Sequence, residues 1–499
     1  MALEGQSPYS IEADWNKLYI GGEWVDSESG ESTPVEDPST REVVTEVPAG
    51  TTEDVDAAYE AAVEAQEEWG EQPPAAREEA VQGLIQALEE HKEEIIELNT
   101  TEIGGIHGVG ETAVQITMDH LAEAATLPRR MKGETAASNI PGKENLVYRE
   151  PEGVVTVISP WNFPLNLTAR ALAPAIAAGN SVVLKPATDA PIVGGLLWAR
   201  LAEEAGIPGG VINVVTGSGS DIGDHLASHP DSDVVAFTGS TEVGQHVAGL
   251  AAENLAVPAM ELGGNNAHIV TEDADLDEAI NSAVFGSFIH QGQVCISINR
   301  HVVHESIYDE YVEKLTARAE SLPAGSAHGE VVVGPIINES QRDEMLDYVE
   351  RTVEAGATLE TGGETVELDG VDDSLVVKPT VLSDVTNDMA AACNEHFGPI
   401  APVIPFSDVD EAVEIANDTE YGLTGSVHAG DIGTGLQIAK RIDSGNIHVN
   451  DQGINDEAHV PFSGTKASGL GGYNSDDFLD EVTEKKWISL QHEPRDYPF

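Results

Sequence analysis

The chain has 499 residues, and 88 Asp and Glu against 24 Lys and Arg give a formal net charge of −64. A surface of that sign repels nucleic-acid phosphates and anionic membranes, so neither is expected as a partner. Hydrophobic residues make up 40%, enough for a packed core, and the acids are scattered through amphipathic stretches such as 54–69 and 78–98 rather than collected in a disordered tail.

At this length two or more domains are expected. The opening MALEGQSPYSIEADWNKL lacks a basic segment followed by an apolar one, so no signal peptide is expected. No apolar stretch approaches the length of a membrane span. Two cysteines, Cys295 and Cys393, are too few for a disulfide framework and suit a reducing cytosol. A soluble cytoplasmic protein is therefore expected. Only 11 residues are Lys. Acids stand where Lys often would, a device of halophiles, because dense salt screens self-repulsion. A salt-loving source follows as an expectation.

Residues 51–127 read as Ala-rich amphipathic helices. From 154 strands and helices alternate: strands at 154–159, 181–185, 211–215 and 234–237, helices at 165–178, 191–205, 221–228 and 241–255. This is the signature of a doubly wound α/β region with a parallel sheet. The alternation resumes with strands near 267–270, 300–304, 331–333, 376–381 and 447–450 and helices at 276–289, 339–354 and 410–415. Segments 133–149 and 481–491 look extended and lie outside both regions, where they can pair with each other or with a neighbouring subunit.

An α/β region of this kind invites a dinucleotide, yet no G-x-G-x-x-G follows the first strand. Two weaker candidates follow strands and open helices: Gly217-Ser-Gly219 with Gly223, and Phe237-Thr-Gly239-Ser240 with Gly244. Each is also compatible with a tight turn. Cys295 lies beyond an apolar helix and reads as a nucleophile or as a small buried hydrophobe. Glu261 precedes Gly-Gly, where a backbone or ligand can approach closely. Asn162 stands in a Pro-rich turn, where capping the next helix is the simple alternative. Lys185 ends a strand in a Lys-poor chain.

Taken together, SPWNFP at 159–164, LKPAT at 184–188, FTGSTEVG at 237–244, ELGG at 261–264, GQVC at 292–295 and EHFGP at 395–399 fall in the order and spacing of the NAD(P)-dependent aldehyde dehydrogenase superfamily. The chain resembles that family from GGEW at 21–24 to SGTK at 463–466. The resemblance implies an aldehyde dehydrogenase-like α/β fold with two doubly wound parallel-sheet domains and a small β oligomerisation segment. Residues 1–128 and 152–263 would bind the cofactor, 264–460 would form the catalytic domain, and 129–151 with 461–499 would bridge subunits in a homodimer or homotetramer. It implies Cys295 as nucleophile, Glu261 as general base and Asn162 as the oxyanion-hole amide. The implied cofactor contacts are Ser159, Trp161, Lys185, Thr188, Gly219, Gly223, Phe237, Gly239, Ser240, Gly263, Glu395 and Phe397. No metal is implied.

Two departures matter. Thr188 stands where NAD-preferring relatives commonly carry Glu, so NADP is admitted beside NAD, with Lys185 as a cationic partner. Asn394 replaces the first of two acids, while Glu395 is retained. The stretches 163–170, 283–300 and 492–499 are similar to the vanillin/benzaldehyde dehydrogenase-like subfamily, which makes an aromatic aldehyde the leading small-molecule substrate. Phe163 and Arg170 would face it. Arg170 could instead hold the carboxylate of a semialdehyde, or pair with a neighbouring acid. A CoA-acylating relative would generally lack Glu261, and a non-catalytic relative would not keep Cys295, Glu261 and Asn162 together.

Overall fold

The computed structural model describes residue 11 and residues 13–499. The earliest part of the expected 1–128 segment, residues 1–10 and 12, lies outside the described residues.

The first helices form where the pattern places them. Thr51 caps Thr52–Gly70 in a reciprocal capping box with Asp54, and the face carrying Val55, Ala58, Tyr59 and Ala62 is buried. Helix Pro164–Ala178 differs, because every one of its residues is buried. It begins with proline at its first turn and stops at Gly179, whose φ of 102° few other residues adopt.

Five parallel strands form the centre of an eight-stranded sheet, in the spatial order Val257–Glu261, Val234–Thr238, Val154–Ile158, Ser181–Lys185 and Ile212–Val214. The chain starts in the middle, moves to one side and then returns to the other. The switch point lies between Val154–Ile158 and Val234–Thr238, and a crevice opens there at the carboxyl ends of the strands. Leu18–Ile20, Glu23–Val25 and Gly469–Leu470 add antiparallel edges.

A second sheet has seven strands, six of them parallel: Thr380–Ser383, Ile400–Phe406, Ile298–His304, Asn266–Val270, Thr424–His428 and Asn446–Val449, with Thr358–Thr361 antiparallel at one edge. The extended segments 133–149 and 481–491 do pair with each other. Thr483–Gln491 lies antiparallel on Lys143–Pro151, which pairs on its other side with Glu134–Ala137. No helix among the described residues is long and apolar enough to cross a membrane.

Three expectations shift. The strand expected at 376–381 is displaced to Thr380–Ser383, because Leu375 and Val376 bond to Ile336 and Val366 in loops and Pro379 has no N–H to offer a ladder. The segment 331–333 makes only an isolated bridge between Val333 and Ala324. Ile400–Phe406 and Thr424–His428 are buried strands without an expected counterpart.

Gly179 offers a direct check of the packing around the buried helix. A Cβ there would lie 2.4 Å from Arg77 Nη1 and 3.3 Å from Gly70 Cα. Gly179→Ala combines that clash with the positive φ and is expected to cost about 1–3 kcal/mol, read as a lowered urea midpoint at unchanged slope.

Candidate active site

Cys295 is carried by a loop with an uncommon backbone. After helix Leu276–Phe288 ends, His290 and Gln291 both take left-handed conformations, with φ of 48° and 59°. Two such residues in succession persist only where the surroundings fix them. Side-chain amides do so here. Gln291 Nε2 donates to the carbonyls of Pro335 (2.8 Å) and Gly104 (3.2 Å), and Gln293 Oε1 accepts from Ile337 N–H (3.0 Å). Asn162 Nδ2 donates to the Gln293 carbonyl at 3.0 Å. Asn266 Nδ2 donates to the carbonyls of Cys295 (2.8 Å) and Ser297 (2.7 Å).

That loop meets the crevice of the first sheet in a cleft of about 460 Å³. Cys295, Glu261, Asn162, Trp161, Gly239, Ser240, Gly263, Glu395 and Phe397 all line it. The Trp161 and Phe397 rings meet edge to face, 5.4 Å between centroids. Glu395 Oε1 accepts from Gly264 N–H at 2.9 Å, and its carboxylate occupies the space that a side chain at Gly263 would need. Phe163 sits behind, its ring 4.9 Å from that of His290.

The electrostatics are those of buried acids short of partners. Among the described residues neither Glu261 oxygen has a hydrogen-bond partner, and burial pushes its carboxyl up to about 8 against the pull of Arg170. Burial lifts Glu395 to about 7, opposed by the Gly264 N–H. Cys295 keeps a face open to the cleft, yet desolvation and then Glu261 push its thiol up, with Arg170 opposing. A carboxylate poised near neutrality beside a protonated thiol is suited to taking that proton.

Other expected residues form the wall or lie elsewhere. Ser159 N–H donates to the Lys185 carbonyl, and Phe237 pairs with Ile158 in the sheet. Lys185 is buried, donates from Nζ to the Pro186 carbonyl and is lowered to about 8 by desolvation, against the attraction of Asp189. Thr188 does not line the cleft. It borders a separate pocket of about 220 Å³ with Asp189, Glu102 and Asn338. Gly219 and Gly223 bound a π-helical turn outside the cleft lining, capped by Ser218.

Arg170 finds its partner inside the protein. Its Nη1 lies 3.5 Å from Asp456 Oδ2, and its guanidinium lies over the rings of Phe462 (4.7 Å) and Tyr473 (4.9 Å). Nε and Nη2 have no acceptor among the described residues. Asp456 is further held by His120 (3.2 Å) and Asn474 Nδ2 (2.7 Å). The ion pair is thus the contact the structure contains, with two donors left over.

Sequence reasoning missed Asn266, which holds the Cys295 carbonyl, and Gln341, Tyr348 and Tyr421, which line the cleft. Only Asn266 left a trace, as a polar residue opening a largely apolar strand. A nucleotide fits this cleft on one local observation. Helix Thr241–Glu253 starts at Ser240 without a side-chain cap, so free N–H groups are presented at the switch point to an anion.

A model of the aldehyde dehydrogenase family matches residues 24–488. A benzaldehyde dehydrogenase of Bacillus subtilis is 44% identical over 97% of this chain and 99% of its own length. A vanillin dehydrogenase of Corynebacterium glutamicum is 43% identical over 96% and 98%. Among solved structures, a betaine aldehyde dehydrogenase of Staphylococcus aureus in complex with NAD+ superposes with a TM-score of 0.94 at 34% identity, covering 96% of this chain and 95% of that one.

The raised thiol has a measurable consequence. In ligand-free protein at pH 7, the exposed Cys393 is expected to react with a disulfide reagent well before Cys295. The Cys295 rate should keep climbing with pH through the alkaline range, because burial holds the thiol protonated. Peptide-resolved mass spectrometry reads both, and equal rates at pH 7 would contradict the electrostatics described.

Proposed function

The chain belongs to the aldehyde dehydrogenase family, and from that premise we propose that it oxidises aromatic aldehydes of the benzaldehyde and vanillin type to carboxylic acids, with NAD as hydride acceptor. The observation that carries the reading is the convergence of Cys295, Glu261 and Asn162 in one cleft beside an uncapped helix N-terminus. The aromatic class is supported by the identity to a benzaldehyde and a vanillin dehydrogenase.

Glu261 takes the thiol proton, and the Cys295 thiolate attacks the aldehyde carbon, because an aldehyde cannot release hydride until that carbon is tetrahedral. One hydrogen of the Asn162 amide is held by the Gln293 carbonyl. The other is left for the developing alkoxide, together with the Cys295 backbone N–H, and one such donor is typically worth about 10²–10³ in rate. NAD, when bound, supplies the acceptor for the hydride. Once Glu261 has passed the thiol proton to solvent, it activates the water that hydrolyses the thioester, and the Cys295 thiolate leaves. This use of water sets the reading apart from CoA acylation.

Trp161, Glu395 and Phe397 would hold the nicotinamide end, Gly239, Ser240 and Gly263 the pyrophosphate side, and Lys185 the adenosine ribose. NAD is favoured over NADP because Asp189 stands beside Lys185 and takes up part of the positive potential that a 2′-phosphate would need. A second reading, a semialdehyde of an organic acid, is favoured by one observation. Arg170 Nε and Nη2 are buried donors without an acceptor among the described residues, suited to a carboxylate.

The wider setting belongs to the same proposal. Residues 1–128 and 152–263 act as the cofactor domain and 264–460 as the catalytic one. The edge strand Thr483–Gln491, with Trp487 67% exposed, meets a second copy in a homodimer or homotetramer. The net charge of −64 fits a cytoplasm rich in salt.

Three outcomes test this. Cys295→Ala should abolish benzaldehyde oxidation while NAD still quenches tryptophan fluorescence. Since Glu261 must be ionised to act, kcat/KM should rise with pH up to about 8 and then level, and a flat profile from 6 to 9 would remove it as the base. Activity and Tm should both rise between low salt and ~2 M potassium chloride, as screening shortens to a few ångströms.

A further inference from the structure

Away from the cleft, on the outer face of the first sheet's helical layer, Asp56, His225 and His229 bring one ligand atom each to within 4.8 Å of one another. Among the described residues this is the one group of three or more His, Cys, Asp and Glu side chains that converges so closely. Asp56 comes from helix Thr52–Gly70. His225 comes from the short helix Asp224–Ala227, and His229 follows it by one turn. Asp56 Oδ1 lies 2.6 Å from His225 Nε2 and 3.3 Å from His229 Nε2.

From this arrangement we infer that Asp56, His225 and His229 form a binding site for a divalent transition-metal cation of the zinc class, with a fourth position open to water. A tetrahedral ion bound at about 2.0–2.2 Å by imidazole and carboxylate spaces its ligand atoms by about 3.3 Å, so these atoms need only small rotations. Two imidazoles and one carboxylate suit zinc, nickel or cobalt rather than calcium or magnesium, which take oxygen.

The site is also partly built in advance. His229 is buried, and its ring is stacked face to face on Tyr59, 3.8 Å between centroids and 1° between planes. Tyr59 is itself fixed, donating to the Leu226 carbonyl at 2.9 Å and paired with Thr156. The imidazole that would lose most rotational freedom on binding is therefore already immobile. Asp56 and His225 remain exposed enough for an ion to enter.

Without metal, the His229 Nδ1 accepts from the Asp231 N–H at 3.2 Å, and the proton sits on Nε2 toward Asp56. Binding at Nε2 moves that proton to Nδ1, which breaks the bond from the Asp231 N–H, so the Asp231 segment must turn to bring its carboxylate, 3.9 Å away, to the new donor. The tautomer changes and no proton is released by this ring. The metal would tie the first helix of the chain to the segment after Ile212–Val214, and thereby stabilise the cofactor side of the molecule without touching the cleft.

The test uses untagged full-length protein carrying Cys393→Ser and Cys295→Ser, so that no thiolate competes, in high potassium chloride to screen diffuse attraction by the acidic surface. Cobalt(II) is titrated and followed by its visible absorption, with zinc followed by calorimetry. Saturation at one ion per chain is expected, with a tetrahedral cobalt spectrum and a higher Tm. Binding should weaken about tenfold or more in His225→Gln and Asp56→Asn. Both positions are on the surface, and an unchanged metal-free Tm shows that the variants fold. Unsaturable uptake, an octahedral spectrum, or equal binding in parent and variants would overturn the site.

Discussion

The cleft depends on how the backbone from His290 to Ser297 is held. Its left-handed turn is not a conformation those residues prefer, and four side-chain amides compensate, two from the loop itself and two from elsewhere in the chain. Asn162 belongs to the crevice of the first sheet, and Asn266 opens a central strand of the second. Their amides grip the carbonyls of Gln293, Cys295 and Ser297 at 2.7–3.0 Å. Gln291 and Gln293 reach outward to Gly104, Pro335 and Ile337. The sulfur is thus placed at the seam of two sheets by bonds to both. Few apolar contacts could do this, since hydrogen bonds carry direction and packing alone does not.

Charge is the second constraint. A chain with 64 surplus acids places carboxylates even beside its thiol, and Glu261 and Glu395 are buried there. Such groups stay uncharged unless something stabilises the anion. Among the described residues the one such help for Glu261 is Arg170, whose guanidinium lies over two rings and pairs with Asp456. The result is a carboxyl that changes charge near the pH at which it would work. The acidic exterior concerns the solvent, and the site is governed by one buried cation.

Much of this could be read from the chain alone, for identifiable reasons. Alternating apolar runs and amphipathic stretches located most strands and helices of the doubly wound regions, because burial on both faces leaves a plain signal. Short motifs located Cys295, Glu261, Asn162, Glu395 and Phe397, and the structure brings these into one cleft. Other features have no local signature. Ile400–Phe406 contains Pro402 and Pro405, which argue against a central strand. Thr424–His428 is buried yet holds Gly, Ser and His in place of an apolar run. Arg170 owes its setting to Asp456, Phe462 and Tyr473, almost three hundred residues later, and no periodicity connects them. Thr188 reads as a cofactor contact by position, and in the structure it borders a second pocket with Asp189 and Glu102.

The central claim is that Cys295 becomes covalently acylated and that Glu261 is needed to release the acyl group. Mass spectrometry of Glu261→Gln, quenched after mixing with benzaldehyde and NAD, tests it most directly. The account predicts a benzoyl adduct on the Cys295 peptide that forms slowly, because Glu261 no longer takes the thiol proton, and then persists toward one per chain, while the parent enzyme shows little. Benzoate formed at the parent rate with Cys295 unmodified, or an adduct on another residue, would contradict it.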